Sequence, residues 1–445
     1  TGDNSFNTAV GYEAGYELLS GSSNTLVGHD AGYGGAGASF SNVVAIGDEA
    51  GRSLTTANDT VAIGRFAFYS INTQAGGVAL GFEAGRYAYG VNNTYLGFKS
   101  GHGSTTATNN TATSNVGIGY HSLKEVITGS SNVAIGNLSS EDITTGGSNT
   151  SIGSQSGQSL TSGGNNILIG ASAGSNNTIS NGSIAIGVSA LQNHAVIAAS
   201  PNIAIGTTAG QDLSNVTGGN VMIGHNVMKD ADDSYDNTVI GYEAGLVMTN
   251  GHSNSILGHE AGKALTTANN NVLIGALSGD AMTTSSDNVL IGKAAGGSII
   301  DGVGTNVAIG SSSLSTASTS ATDGNTAVGH RTLATQNGGN NFNTAVGYQA
   351  GLSITTGGNN VLIGSQTGDA ITTGENNVIV GKGSETSAVG TDNEIIIGTS
   401  VTGHGANIAV IGNADTTAWH PADDNGVDLG SATYSFKDAH IQGVY

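Results

Sequence analysis

The chain has 445 residues, 73 of them Gly and none Cys, and its 11 Lys/Arg against 32 Asp/Glu leave a formal net charge of −21. The missing Cys rules out disulfides and thiolate metal sites, and singly scattered cations argue against nucleic acid or an anionic membrane as partner. No apolar run approaches the ~18 residues of a membrane span, so membrane insertion is not expected either. No signal peptide is visible, and the chain opens at Thr1 without Met, as a fragment or processed product would.

The first element, Asn7-Thr-Ala-Val-Gly11, recurs down the chain, most regularly as Asn343-Thr-Ala-Val-Gly-Tyr-Gln-Ala-Gly-Leu-Ser-Ile-Thr-Thr-Gly-Gly-Asn359. Taking the Gly after each short apolar run as an anchor gives 24 copies, from Gly11 to Gly412, about 17.4 residues apart on average. That period is too short for helix pairs or propeller blades and fits one turn of a β-solenoid. The expected fold is therefore all-β: a parallel β-solenoid with about 17 residues per turn. Residues 1–412 form a rod of about 24 turns. At the strand spacing its length is on the order of 115 Å.

Within each turn the positions have distinct chemistry. Four residues before the anchor, Asn stands in 18 of 24 copies, including Asn132, Asn202, Asn288 and Asn377. Repeated at one coil position it can stack as an amide ladder, and it tolerates a left-handed corner. The residue before the anchor is Val, Ile or Leu in every copy, and the residue three before is mostly Val, Ile or Thr. These two share one strand face, while the residue between them, also mainly apolar, lies on the other. A strand apolar on both faces needs cover on both. One face fills the coil interior; the other is expected to pack against further copies of the chain.

The anchor Gly reads as a corner with φ > 0 or with no room for a Cβ. A small residue follows three positions on (Ala14, Ala50, Ser122, Ala173), then either Gly or a bulky residue. After Gly (Gly51, Gly262, Gly351) a large apolar side chain appears three further on (Leu54, Leu265, Ile354). After a bulky residue (Phe68, Leu123, Leu191, Met228, Leu314, Leu333) that later position is mostly small, polar or irregular. Such an exchange requires a close-packed interior. Thr-Thr-Gly turns close the unit, with polar slips at Gly34–Ser41, Ser104–Thr113 and Thr316–Gly324 expected on an outward edge.

Residues 413–445 break the pattern and read as a cap with a hairpin at Asn425-Gly426, flanked by Val427–Leu429 and Tyr434–Phe436.

The units NNVLIG, SNVAIG and PNIAIG resemble the head repeats of YadA-like trimeric autotransporter adhesins over about residues 4–412, with a longer unit here. That resemblance implies a left-handed β-roll and a homotrimer, intertwined or side by side. The ending DNGVDLGSATYSFKDAHIQGVY (Asp424–Tyr445) resembles phage tail fibres just before a C-terminal intramolecular chaperone, a domain then removed or lying beyond Tyr445. Together these point to the structural fibre of a phage tail, a rigid multivalent host-attachment rod located in the virion. The alternative is a bacterial trimeric surface adhesin, extracellular or on the cell surface. The implied partner is a host receptor, a glycan or outer-membrane component.

No catalytic, cofactor or metal site emerges. His29, His225, His259 and His330 directly follow anchors, a place that holds Asp, Arg or Ala in other copies and so reads as exposed; a three-fold metal site on a trimer axis is the minor alternative. Glu13, Glu49, Glu83, Glu243 and Glu260 recur two past anchors, which fits a repeated surface position better than the carboxylate pair of a glycan-degrading tailspike. Tyr12, Tyr120, Tyr242 and Tyr348, also directly after anchors, are the candidate glycan contacts, with scattered surface Tyr as the plain reading.

Overall fold

In a computed structural model of the chain, the described residues are 5–73, 75–105, 110–194, 201–214, 218–297, 299–300, 304–316, 323–337, 341–419, 433, 437–438 and 440. They form a parallel β-solenoid of 24 three-residue strands, from Thr8–Val10 to Ala409–Ile411, with no helix among them. Each strand pairs in parallel with the next one in sequence, as in Val272↔Val289, Leu273↔Leu290 and Ile274↔Ile291. Twenty-three such steps span roughly 110 Å.

Hydrogen bonding between turns runs well beyond the strands. Leu277 N donates to His259 O (2.9 Å), Gly279 N to Ala295 O (3.0 Å) and Thr283 N to Ile300 O (2.9 Å), so one turn is tied to both neighbours around much of its perimeter. Backbone donors that would be orphaned in such short strands are thereby satisfied. The outer Thr column adds to this. Thr144 Oγ1 donates to Thr161 O (3.1 Å) and Thr161 Oγ1 to Thr178 O (3.0 Å), spending these hydroxyls inside the rod.

The Asn ladder is present and buried. Asn254 Nδ2 donates to Asn237 Oδ1 (3.0 Å) and to Ala268 O (2.8 Å), and Asn254 N donates to the same Asn237 Oδ1 (3.0 Å). Each amide thus links three turns. The left-handed corner falls one residue earlier than expected, on Ser253 (φ 60) beside Asn254, on Asn270 (φ 58) and on Asp287 (φ 62). The ladder Asn is kept for its amide, and its neighbour takes the backbone strain.

The anchor corner satisfies both expectations at once. Gly275 has φ 131, and a Cβ there would stand 2.5 Å from Gly292 O. Anchor backbones lie directly on one another, so the column has no space for a side chain.

Inside, the residue in the middle of each strand points inward and is buried (Leu26, Ala45, Leu168, Leu273), while its two neighbours point outward. The size exchange involves three positions. A Cβ on Gly262 would meet Leu265 Cδ1 at 2.7 Å, so Gly there makes room for Leu. Bulky Phe68 and Leu123 nevertheless coexist with buried Ile71 and Val126. They do so because the inward strand residues beside them are small: Ala62 and Ala79 near Phe68, Gly117 and Ala134 near Leu123. Close packing of the interior is met by three positions together rather than two. The Gly34–Ser41 slip also departs from the polar outward edge expected, since it buries Ala38 and Phe40 in the core. Parts of the other two slips (106–109 and 317–322) and the expected hairpin at Asn425-Gly426 lie outside the described residues. Asn413 Nδ2 donates to Thr399 O (3.0 Å), so the terminal segment begins folded back on the last turns.

Asn254→Ala would strand Asn271 N and one hydrogen of Asn271 Nδ2, which both donate to Asn254 Oδ1, while Nδ2 keeps Ser285 O (3.0 Å). It is expected to cost ~2–4 kcal/mol, read as a lower denaturant midpoint and as faster amide exchange in the adjoining turns. Gly275→Ala is expected to cost more, and Leu265→Ala ~2–5 kcal/mol. An Asn254→Ala protein as stable as wild type would remove the ladder from the account of stability.

Candidate binding surface

The anchor corner throws the next residue outward, and successive turns superimpose these residues in one column. Where neighbouring turns both carry a ring there, the rings stack. Tyr12 lies on His29 (5.4 Å between centroids), and Tyr348 on His330 (5.5 Å). Tyr242 is held between His225 (5.5 Å) and His259 (5.2 Å). Phe82, Phe98 and Tyr120 form a run of three, with centroids 5.1 and 5.4 Å apart and planes 19° and 10° from parallel. Aligned turns, which the repeat alone dictates, convert scattered aromatics into ordered stacks. These spacings exceed the ~3.5–4.0 Å of atomic contact, so the rings overlap with an offset and leave part of each face open.

All four candidate Tyr are exposed, and His29, His225, His259 and His330 are exposed as expected. Tyr242 has a ring on each face. Tyr348 stacks only toward His330, its other side facing a turn with Ser365 at the same position. Phenol ionisation is pushed up in Tyr12 by the hydrogen-bonded Glu13 and in Tyr242 by Glu243, so both are neutral donors at ordinary pH.

The next residue along each turn is left-handed even without Gly: Glu13 (φ 51), Glu49 (φ 58), Glu83 (φ 55), Glu243 (φ 51) and Glu260 (φ 53). Glu13 is hydrogen-bonded to Tyr12, and the other four carboxylates face cations. Lys263 Nζ bridges Glu243 (2.7 Å) and Glu260 (3.3 Å). Glu83 is not at an exposed position, contrary to the sequence expectation. It is buried among Arg86, Lys99 Nζ (3.3 Å) and His102 Nε2 (3.4 Å), because these charges reach it from its own turn and the next. Burial pushes the His102 imidazolium below its usual pKa.

Guanidinium groups cover the rings of the early turns. Arg65 lies 4.5 Å and Arg86 4.6 Å from the Phe66 centroid, and Arg86 also lies 5.2 Å from Tyr69. Such contacts are worth about 0.5–1 kcal/mol each where exposed. The clustering of these rings and cations was legible only by setting consecutive turns under one another, where Phe82, Phe98 and Tyr120 fall in one column.

Among the described residues no group of three or more His, Asp or Glu is placed to hold a metal, and no helix is long and apolar enough to cross a membrane. The chain matches no known family profile, and no curated protein matches it.

Two titratable groups, the buried His194 and the half-buried Glu385, give the rod opposed pH responses. Burial lowers His194 to about 4, with Asn202 Nδ2 2.9 Å from its Nε2. The folded chain therefore binds fewer protons there than the unfolded one, and this contribution is lost as pH falls from about 6.5 to about 4. Glu385 is pushed up to about 7 by burial and by its neighbour Asp369. Its folded state holds a proton the unfolded chain releases, so that contribution is lost as pH rises from about 4.5 to about 7. His194→Gln is expected to remove the first slope and Glu385→Gln the second, measured as denaturant midpoint against pH. Unchanged profiles in both variants would show that neither group titrates with folding.

Proposed function

We propose that the chain is a structural and adhesive fibre, three copies packed as a left-handed rod, serving as the distal part of a phage tail fibre. One observation carries this reading: an uncovered aliphatic stripe along the whole solenoid. The two outward strand residues of each turn are apolar in most copies. They remain open to solvent, as with Leu80 (42%), Leu257 (48%), Ile363 (42%) and Ile397 (40%). Because the strands are in register, the last strand residues form one unbroken aliphatic column, and the first strand residues a second that Thr or Ser interrupts, as at Thr94, Thr150, Thr238 and Ser255. Together they amount to on the order of a few thousand Å², against ~300–600 Å² for the largest patch on a typical monomer. Stripes of that extent are features of obligate interfaces.

Identical copies supply the simplest complement, since every turn of the stripe presents the same chemistry. Three copies around an axis also present each outer surface feature three times, which raises avidity without a strong single site. The tail-fibre assignment rests on the resemblance of Asp424–Tyr445. Without it, the same architecture reads as a cellular trimeric adhesin. The partner is a host surface glycan or outer-membrane component, and the exposed Tyr12, Tyr120, Tyr242 and Tyr348 are its candidate contacts.

Light scattering on the purified chain is expected to give about three times the 43.8 kDa chain mass. The double substitution Ile274→Asp/Ile309→Asp, placed on the outward face, is expected to lower that mass while leaving the strand signal in circular dichroism intact. A wild-type chain of monomer mass would end the fibre reading.

A further inference from the structure

The rod is not uniform along its length. Of its 22 aromatic side chains, 14 lie before residue 125, in little more than the first quarter of the chain. Phe40, Phe68 and Tyr95 belong to the core, while on the outer corner Tyr12, Phe66, Phe82, Phe98 and Tyr120 are interleaved with Arg52, Arg65, Arg86, Lys99 and Lys124, five of the 11 Lys/Arg. The same corner in later turns carries Ser154, Ala171 and Val188 directly after the anchor, followed by Gln155, Ser172 and Ser189. Those turns keep the same strands and register. The fold therefore does not require rings or cations at these positions, and their concentration in one section needs another reason.

We propose that the face formed by Arg65, Phe66, Phe82, Arg86, Phe98 and Tyr120 binds a linear, uncharged polysaccharide laid along the rod axis. The inference rests on the adhesive reading above and names the ligand class and its place. Three features select this ligand. The offset rings of Phe82, Phe98 and Tyr120 leave strips of aromatic face, with Phe98 42% and Tyr120 48% exposed even though the His121 ring stacks on Tyr120 at 3.9 Å. Such strips suit the flat C–H faces of sugar rings. The rise per turn, ~4.8 Å, is close to the length of one pyranose unit, so a linear chain can place a sugar on each successive ring.

Charge selects against acidic glycans. Every cation of the section already has a carboxylate: Arg52 Nε–Asp30 3.2 Å, Arg65 Nε–Asp48 3.1 Å, Arg86–Glu83, Lys99 Nζ–Glu83 3.3 Å and Lys124 Nζ–Glu125 2.8 Å. The surface is polar and rigid without a positive field, on a rod of net charge −21, and a polyanion would be repelled. The guanidinium planes stacked on Phe66 are preordered, which lowers the entropy lost when they meet hydroxyl groups.

The test uses the full chain against immobilised cello-, xylo- and manno-oligosaccharides of increasing length, with oligo-alginate as the acidic probe. Wild type is expected to bind at least one uncharged series, with affinity rising as units are added up to the length of the ring run. The variant Phe82→Ser/Phe98→Ala/Tyr120→Asn takes residue types the rod itself uses in later turns, and it is expected to lose at least tenfold in affinity with unchanged mass and unfolding midpoint. Arg65→Gln, an exposed side chain, provides a second variant with an expected loss of a few-fold. Failure of wild type to bind any uncharged series, or salt-sensitive binding to alginate alone, overturns the proposal. Full retention of binding by the triple variant overturns the site. A fall in oligomer mass in that variant would instead place the rings in the seam between copies. The wild-type mass measurement judges the fibre reading separately, so the two failures are distinguishable.

Discussion

Every turn must meet the next at the spacing of one strand, and nearly everything else in the rod follows from that constraint. A column that stacks on itself at ~4.8 Å admits only side chains that gain from meeting their own kind. Asn does, because its amide donates to one turn and accepts from another. Gly does at the anchor, where the backbones themselves touch. Aliphatic residues do in the interior, provided neighbouring positions compensate for their size. The same rule works outside the coil, where Tyr, Phe and His in adjacent turns stack, and where a like-charge column would be penalised.

The ladder shows how the constraint is met when one column fails. Val43, Thr60 and Gly77 occupy three consecutive ladder positions. Val43 N still takes Asn24 Oδ1 (2.9 Å), but no amide continues the chain of bonds. At Gly77 the missing side chain leaves space that the Phe68 ring fills, since a Cβ there would stand 2.9 Å from Phe68 Cζ. On the outer corner of the same turns sit Arg52, Arg65 and Arg86 with their carboxylates and rings. Exposed ion pairs contribute little singly, and here they are linked through shared carboxylates and aromatic faces into a network. Further on, Asn115 N takes Asn93 Oδ1 (2.9 Å) and the inner ladder resumes. It ends at Glu394, whose backbone N takes Asn377 Oδ1 (2.9 Å) while its carboxylate accepts from Ser387 N and Gly405 N. Its carboxylate is taken up by those two donors and the next ladder position is Ile408, which has no amide side chain, so the chain of side-chain bonds stops there.

Much of the fold was legible in the sequence, because each column repeats its chemistry often enough to read. The Asn ladder, the Gly corner and the alternation of inward and outward strand residues were all visible as fixed residue types. What was not legible depended on relations between turns. The left-handed residue beside the ladder varies among Ser, Asn and Asp, so no single type marked it. Glu83 looks like Glu13 or Glu243 in its own turn, and only the arrival of Lys99 and His102 from the next turn buries it. Ile71 and Val126 broke the two-position size rule because the third partner sits in the strand. The ring stacks were hidden for the same reason. A Tyr followed seventeen residues later by a His carries no signal until the turns are superimposed.

The repeated interior also separates what holds the rod together from what distinguishes one part of it from another. The inward strand column ranges from Gly117 to Tyr95, but each change in size there is felt by the neighbouring turns and must be compensated by them. The corner past the anchor is free of that limit: Ser, Val, Arg and Phe all stand there with the backbone unchanged. Specific recognition can reside only where the rod tolerates difference. Along this chain the tolerated positions are not filled evenly: Arg52, Arg65 and Arg86 stand on the turns in which the inner ladder lapses, and the ring run Phe82, Phe98 and Tyr120 continues past them after the ladder resumes. Side chains seated on so regular a backbone present their face in one rigid arrangement, which is the condition a repeating ligand of matched spacing requires.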